Sequence, residues 1–207
     1  MKRGIILIGL PGCGKGVVCS VLKEKGYKIV SMSSLLKKEA KKQKRIQNLM
    51  KKGKLINTKL VIKIFKKNFP RSKKVLLDGV ARNSEELNAT IKLLEKYKYD
   101  YLLLNIAGNK SKFKERIVNR RYCPRCSRIY NLKTDPPKIK GLCNKDKTKL
   151  EQREDDTKKV YDFRIKEFSK ETLPAIKGYK KKKLPIIEID GTLPLKRFKK
   201  EIKNKID

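Results

Sequence analysis

The chain lacks any apolar run long enough to form a membrane-spanning helix. Such a helix needs about 20 consecutive apolar residues, and the apolar runs in these 207 residues, such as residues 5–8, are far shorter. The N-terminus leads from Met-Lys-Arg straight into one of these short runs, with no targeting segment before it. We therefore expect a soluble, cytoplasmic protein that has no membrane partner.

The chain also lacks the even set of cysteines that a disulfide framework requires. Of its five cysteines, Cys13 and Cys19 have no obvious partner, whereas Cys123, Cys126 and Cys143 fall in one segment. An odd count together with a C-x-x-C pair favours reduced thiols and a bound metal ion. This excludes the small disulfide-stapled scaffolds of secreted proteins.

Acidic residues and arginine are both scarce beside lysine. The chain has 21 Asp and Glu residues against 57 Lys and Arg, a net charge of +36, and only 12 of the 57 are arginine. Clustered Lys and Arg drive nucleic-acid binding, but here the lysines are spread through almost every segment. We interpret most of them as solvated surface and expect no specific nucleic-acid partner. Electrostatic steering of anionic nucleotides and loose RNA binding are compatible with this charge.

Short buried strands alternate with helical stretches along the chain. Five runs rich in Ile, Val and Leu are predicted strands, namely residues 5–8, 27–30, 75–77, 101–106 and 186–189. The lysine-rich stretches between them have helical spacing, and this alternation predicts an α/β fold with a doubly wound, five-stranded parallel sheet. Ligands of such folds bind at the carboxyl ends of the strands.

A glycine-rich turn follows the first predicted strand directly. Residues 9–16 read Gly-Leu-Pro-Gly-Cys-Gly-Lys-Gly, and a G-x-x-x-x-G-K sequence between strand and helix is typical of a phosphate-binding loop, or P-loop. The glycines let backbone N–H groups point inward, the next helix adds its positive end, and Lys15 reaches the outer phosphates of a triphosphate. The motif predicts a P-loop nucleoside triphosphate hydrolase-like fold; the alternative is an ordinary strand-to-helix turn.

The three clustered cysteines have the spacing of a zinc ribbon. Cys123-x2-Cys126 is followed, after sixteen intervening residues, by Cys143-x2-Asp146. Three thiolates and one carboxylate oxygen complete a tetrahedral Zn²⁺ shell, and a closed shell is structural rather than catalytic. A segment this short and polar would take much of its folding free energy from the metal. The alternative is three cysteines without a ligand.

With these motifs the chain resembles the adenylate kinase family of nucleoside monophosphate (NMP) kinases over nearly its whole length. Residues 9–16 are similar to the family loop G-x-P-G-x-G-K-G, and residues 77–82 are similar to L-D-G-F-P-R. The spacings R-x-x-x-R, R-x-D-D and a further arginine recur at residues 116–120, 153–156 and 164. The chain departs from the family pattern at Val17 for threonine, Lys37 for arginine, Val80 and Ala81 for Phe-Pro, and Glu86 for glutamine.

The resemblance implies reversible phosphoryl transfer from ATP to a nucleoside monophosphate, with AMP as the leading acceptor, in purine nucleotide homeostasis. It implies a monomer that uses Mg²⁺ with ATP and a structural Zn²⁺, with Asp155 and Asp156 ordering the arginines and the metal-bound waters. The implied catalytic residues are Lys15, Asp78, Arg82, Arg120, Arg153 and Arg164. The implied ATP site comprises Gly12, Cys13, Gly14, Lys15, Gly16, Val17, Arg116, Arg120, Ile129, Tyr130 and Leu193. The implied acceptor site comprises Met32, Lys37, Lys54, Leu55, Ile56, Gly79, Arg82, Glu86, Arg153 and Arg164. The implied zinc ligands are Cys123, Cys126, Cys143 and Asp146.

The same resemblance implies three domains. A core P-loop domain takes residues 1–30, 61–120 and 158–207, a helical NMP-binding insertion takes residues 31–60, and a small zinc-stapled lid takes residues 121–157. The lid is expected to close over both substrates.

Two alternatives to AMP phosphorylation remain. Glu86 stands where the family often has a glutamine that reads adenine; an ionised carboxylate only accepts hydrogen bonds, and guanine offers two adjacent donors. GMP, or else UMP or CMP, is therefore an alternative acceptor. Val17, Ser34 and the pair Val80-Ala81 motivate the second alternative, a weakly catalytic nucleotide-binding protein that acts on RNA.

Overall fold

A five-stranded parallel sheet forms the centre of the molecule. The computed structural model describes residues 1–41, 44–51 and 56–206. In chain order the strands are β1 (Lys2–Gly9), β2 (Lys28–Ser31), β3 (Lys74–Asp78), β4 (Tyr99–Ala107), β5 (Arg120–Tyr122), β6 (Ile129–Asn131) and β7 (Ile186–Asp190). The large sheet has the order β2-β3-β1-β4-β7 with all neighbours parallel, and β5 and β6 form a separate antiparallel pair. The predicted fold class is confirmed, and each predicted strand corresponds to one strand of the large sheet.

Helices fill the connections between the strands. They are α1 (Lys15–Glu24), α2 (Met32–Ala40), α3 (Lys44–Lys51), α4 (Thr58–Lys67), α5 (Ser84–Lys96), α6 (Lys110–Val118), α7 (Lys158–Glu167), α8 (Leu173–Lys181) and α9 (Leu195–Ile206). A π-helical turn, Phe168–Thr172, joins α7 to α8. Within the described residues, none of these helices has both the length and the apolar character needed to cross a bilayer.

The central strand β1 is buried on both faces. Ile6 and Ile8 point into one hydrophobic cluster, which also contains residues of α4, α5 and α8, and Ile5 and Leu7 point into a second cluster on the other face of the sheet. This alternation follows from the two-residue period of a strand. Helices cover both faces, as parallel sheets require, so the apolar runs read as continuous rather than alternating.

The carboxyl ends of three neighbouring strands meet at one edge of the sheet. Asp78, the last residue of β3, pairs in register with Leu7 of β1 on one side and with Ser31 of β2 on the other. Since β1 runs on into the glycine-rich turn after Gly9, Asp78 and the predicted P-loop lie beside each other. This edge is where a doubly wound sheet binds its ligands.

Two segments extend from the central sheet. Helices α2, α3 and α4 lie between β2 and β3, and the β5–β6 pair lies between α6 and α7. The boundary that the sequence suggested at residue 60 falls inside α4, and the division into three domains stays a prediction. The predicted acceptor residues Lys54 and Leu55 lie outside the described residues.

Candidate active site

The carboxyl edge of the sheet opens into a cleft of roughly 2240 Å³. A pocket for a single small ligand typically encloses about 300–1,000 Å³, so this cleft has room for two nucleotides. The six residues predicted as catalytic all line it, although they come from separate parts of the chain: Lys15, Asp78, Arg82, Arg120, Arg153 and Arg164.

Glycine is required at two positions of the loop between β1 and α1. Gly12 and Gly14 have φ values of 82° and 107°, in the left-handed region that side chains disfavour. A Cβ atom on Gly12 would lie 2.3 Å from the Phe113 carbonyl oxygen, and one on Gly14 would lie 2.7 Å from the Phe198 ring. The turn therefore packs tightly on its neighbours and delivers the N-terminus of α1 to the cleft, the arrangement that binds phosphate.

The ammonium group of Lys15 lies over this loop. Its Nζ donates to the carbonyl oxygens of Gly9, at 2.5 Å, and Leu10, at 3.0 Å. Gly16 is exposed and Val17 is partly buried, and both line the cleft. Cys13 differs from the other predicted loop residues, because its side chain is fully buried and does not line the cleft. Burial raises the pKa of the Cys13 thiol, although the nearby Lys15 opposes this, so the side chain stays a neutral thiol in the core.

Asp78 presents an unpaired oxygen beside the loop. Its Oδ1 atom is buried and has no hydrogen-bond partner among the residues that the structure describes. A buried, unsatisfied carboxylate oxygen costs free energy, and a hydrated Mg²⁺ ion, which prefers oxygen ligands and keeps several waters, would satisfy it. The residues present therefore fit a magnesium ion at this position.

Arg82 and Arg164 form the first of two arginine pairs in the cleft. Arg82 follows β3 in the turn before α5, and Arg164 lies on α7. Burial lowers the pKa of Arg82 and the neighbouring charge of Arg164 lowers it further, while Glu86 and Asp78 act in the opposite direction. The Arg164 guanidinium donates to Asp155 Oδ2 at 2.7 Å.

Arg120 and Arg153 form the second pair. Arg120 donates through Nε and Nη2 to both oxygens of Asp156, at 2.8 and 2.5 Å, and Asp156 is only 1% exposed. The Arg153 guanidinium lies 5.8 Å from the centroid of the Tyr122 ring. Burial lowers the pKa of Arg153, and the charge of Arg120 adds to this effect. Two positive charges this close repel each other when no anion is bound between them. Such pairs in a cleft are typical of a site for a polyvalent anion.

Four further residues of the predicted ATP site line the cleft but differ in exposure and in their contacts. Arg116 lines the cleft and donates to the carbonyl oxygen of Gly191 at 2.5 Å, so it ties α6 to the loop after β7. Ile129 is 44% exposed and lines the cleft together with Leu193. Tyr130 is also a lining residue, but it is 1% exposed and its hydroxyl contacts Cys143 Sγ at 3.4 Å.

The predicted acceptor residues that the structure describes line either the cleft or a small pocket next to it. Lys37 and Ile56 line the cleft, whereas Met32 and Glu86 line a small pocket that shares Gly79 and Arg82 with it. Glu86 is 3% exposed, and its Oε2 accepts a hydrogen bond from the backbone N–H of Arg82 at 2.8 Å. Burial raises the pKa of the Glu86 carboxyl, although the N–H and the charge of Arg82 favour ionisation.

The predicted zinc ligands converge on one point next to the β5–β6 pair. One ligand atom from each of Cys123, Cys126, Cys143 and Asp146 lies within 4.8 Å of the others. Metal–sulfur bonds of about 2.3 Å separate the corners of a tetrahedron by about 3.8 Å, so this spacing fits a zinc ion. Backbone N–H groups of Cys126 and Lys145 donate to Cys123 Sγ and Cys143 Sγ, each at 3.4 Å, and such outer contacts orient the sulfur ligands.

Sequence reasoning missed two threonines beside the arginines. Thr172, in the π-helical turn, lines the cleft and donates to the carbonyl oxygen of Arg82 at 2.6 Å. Thr90 on α5 is fully buried, and its hydroxyl is shared between the carbonyl oxygens of Glu86, at 2.8 Å, and Val80, at 3.2 Å. Neither lies in a recognisable motif, so the sequence offered no signal for either contact.

A P-loop at the end of a central parallel strand, in one cleft with four arginines, is typical of a P-loop protein that binds nucleoside triphosphates. The family model for adenylate kinase matches residues 7–184. The chain is 36% identical to the adenylate kinase of Mycoplasma mycoides subsp. mycoides SC, over 85% of this chain and 86% of that protein. It is 34% identical to the adenylate kinase of Buchnera aphidicola subsp. Cinara cedri, over 96% and 94% of the two chains, and 32% identical to that of Finegoldia magna, over 98% and 96%. The chain belongs to the adenylate kinase family and is a phosphotransferase of the nucleoside monophosphate kinase class.

Proposed function

We propose that this chain transfers the γ-phosphoryl group of ATP to AMP, reversibly, so that two ADP molecules form. The observation that carries the proposal is the presence of Lys15 and two arginine pairs, from separate segments, around one cleft large enough for two nucleotides. Relatives named adenylate kinases support AMP as the acceptor. The reaction interconverts adenine nucleotides and so gives the enzyme a part in purine nucleotide homeostasis.

Different positively charged residues bind the phosphates of the two nucleotides. The P-loop and Lys15 hold the outer phosphates of ATP, Arg82 and Arg164 hold the phosphate of the acceptor, and Arg120 and Arg153 cover the group in transit. Phosphoryl transfer needs little covalent help from the protein, because charge spreads over three equatorial oxygens and must be neutralised with donor and acceptor in line. Asp155 and Asp156 fix two of the guanidinium groups through the hydrogen bonds described above.

Two metal ions complete the proposal. Asp78 would help to hold the Mg²⁺ that accompanies ATP, and the ion would neutralise phosphate charge. Cys123, Cys126, Cys143 and Asp146 hold a structural Zn²⁺ that stabilises residues 121–157 as a lid. Closure of this lid excludes water and brings Arg153 onto the phosphates beside Arg120. We propose that the enzyme acts as a monomer, with no specific nucleic-acid partner.

A substrate panel tests the acceptor. With ATP and Mg²⁺ and each of AMP, GMP, CMP and UMP, we expect kcat/KM for AMP to exceed that for GMP by at least about tenfold, a difference of 1.4 kcal/mol in transition-state binding. If micromolar enzyme formed no diphosphate with any acceptor, the proposed activity would be wrong.

GMP is the second candidate acceptor, and the buried Glu86 favours it. An ionised carboxylate in the small pocket accepts from the adjacent donors of guanine, whereas an amide both donates and accepts, as adenine requires. We expect Glu86→Gln to raise the ratio of kcat/KM for AMP over GMP by about tenfold, since a site with unpaired polar groups discriminates strongly.

Glu85→Gln is the matched control for this variant, because Glu85 is the exposed neighbour on α5. Its AMP-to-GMP ratio should equal that of the unchanged protein. An unchanged ratio in Glu86→Gln as well would remove Glu86 from base recognition.

A further inference from the structure

Side chains hold the backbone of the turn that carries Arg82 at three points. The N–H of Arg82 donates to Glu86 Oε2, and the carbonyl oxygen of Arg82 accepts from Thr172 Oγ1. The Thr90 hydroxyl is shared between the carbonyl oxygens of Glu86, at 2.8 Å, and Val80, at 3.2 Å. Thr90 and Glu86 belong to α5, the helix that follows the turn directly. Thr172 is different, because it lies 90 residues further along the chain and its contact links two separate elements.

Thr172 belongs to the same continuous helical rod as Arg164. The rod consists of α7, the π-helical turn and α8, and inside the turn the N–H of Leu173 bonds to the carbonyl oxygen of Phe168, five residues earlier. In a regular α-helix each residue rotates by about 100°, so positions 164 and 172 would point about 80° apart. The wider π turn rotates less per residue and brings the two side chains closer to one face, where both line the cleft.

We propose that Thr172 is a positioning residue for phosphoryl transfer, which sets the separation of the Arg82 and Arg164 guanidinium groups by tying the Arg82 turn to the helical rod that carries Arg164. The inference deepens the proposed function and rests on it. The hydroxyl is 2.6 Å from the Arg82 carbonyl oxygen, and Thr172 is 5% exposed, so water has little access to replace the contact.

A fixed separation matters because the two guanidinium groups repel each other. The charge of Arg164 already acts on Arg82, and the hydrogen bond from Thr172 holds the backbone of the Arg82 turn against this repulsion. Displacement of a binding group by about 1 Å can cost about 10²-fold in rate. Because Arg82 and Arg164 are the proposed ligands of the acceptor phosphate, loss of the Thr172 contact should weaken acceptor binding and transfer. Binding of ATP by the P-loop and Lys15 should not change.

Three substitutions test the tie. Thr172→Val removes the hydroxyl at constant volume, Thr172→Ser keeps the hydroxyl, and Ser169→Ala removes an exposed hydroxyl from the same π turn. We expect Thr172→Val to lower kcat/KM for the acceptor about tenfold while KM for ATP changes less than twofold. Thr172→Ser and Ser169→Ala should match the unchanged protein. Melting temperatures measured alongside show whether each variant is folded.

The same substitution in a second protein, which already carries Arg82→Lys, distinguishes a positioning role from a general loss of structure. Arg82→Lys protein already lacks the guanidinium group that Thr172 positions. Adding Thr172→Val to it should therefore change kcat/KM by less than twofold. An equal loss in both backgrounds, no loss in Thr172→Val, or a tenfold loss in Thr172→Ser would each overturn the inference. Absence of transfer in the unchanged protein with every acceptor would instead refute the proposed function, so the two failures are distinguishable.

Discussion

Single side chains of the P-loop decide how it binds a triphosphate. Gly12 and Gly14 allow the backbone to approach its neighbours closely, and Lys15 supplies the charge. Val17, the third residue of α1, has a side chain that neither donates nor accepts a hydrogen bond, and its N–H is already bonded to the Gly14 carbonyl oxygen at 2.9 Å. In the proposed function the loop therefore binds phosphate through its backbone N–H groups, the N-terminus of α1 and the Lys15 ammonium group, and Val17 adds no hydroxyl group.

Replacing Val17 with threonine should improve catalysis. The variant Val17→Thr adds a hydroxyl of similar size at a partly buried, cleft-lining position. Hydrogen bonds to charged groups contribute about 1.5–3 kcal/mol, so we expect kcat/KM for ATP to rise about tenfold. Steady-state kinetics with varied ATP measure this. Val17→Ala is the control without a hydroxyl, and an equal rise in that variant would show that volume rather than hydrogen bonding is responsible.

The sequence predicted the positively charged residues that line the cleft, but it did not predict every side chain that holds them in position. The arginines occur in recognisable spacings, so Arg82, Arg120, Arg153 and Arg164 could be named in advance, and the structure brings them to one cleft. The contact from Thr172 to Arg82 could not be predicted, because a lone threonine has no spacing and the contact depends on how two distant elements pack. The unpaired oxygen of Asp78 likewise becomes visible only when its surroundings are known.

At the level of elements, burial on both faces made the strands predictable. The core of each strand was identified from its run of Ile, Val and Leu, and the ends differ by up to three residues because polar ends such as those of β1 still pair with their neighbours. The strands β5 and β6 were not predicted. Each has three residues, too few for a periodic pattern, and a backbone contact between Tyr122 and Glu151 helps to hold them.

The segment around the cysteines has a very small core. Its buried cluster consists of Cys123, Tyr130, Cys143 and Leu150, and two of these four are proposed metal ligands. So little buried apolar area cannot offset the conformational entropy of a segment of this length. A bound metal would therefore supply much of its stability.

Removal of the metal should unfold this segment before the rest of the protein. Protein purified without a chelator should contain about one zinc per chain, by metal analysis, as a closed four-ligand site requires. We expect chelation to lower the melting temperature and to expose residues 121–157 to protease. Cys143→Ser should act in the same way, whereas Cys19→Ser, outside the cluster, should keep its zinc. Well under one zinc per chain in the unchanged protein would contradict the proposal.

At the level of the whole molecule, the charge of +36 acts together with the local cations of the cleft. A positive field attracts anionic nucleotides from a distance and weakens as salt screens it, over about 8 Å at physiological ionic strength. The arginine pairs lie within the cleft, where screening is weaker. The general charge therefore affects association, and the local pairs affect the reaction itself.

The central claim is that guanidinium groups from distant segments converge on the acceptor phosphate and on the phosphoryl group in transit. The direct test is kcat for Arg153→Ala and Arg164→Ala, with Arg197→Ala as the control, since Arg197 is exposed on α9 and does not line the cleft. Loss of one preorganised donor to developing charge costs about 10²–10³ in kcat, so we expect a loss of that size in the first two variants, with their melting temperatures unchanged, and none in the third. Values of kcat within threefold of the unchanged protein for both cleft variants would contradict the account.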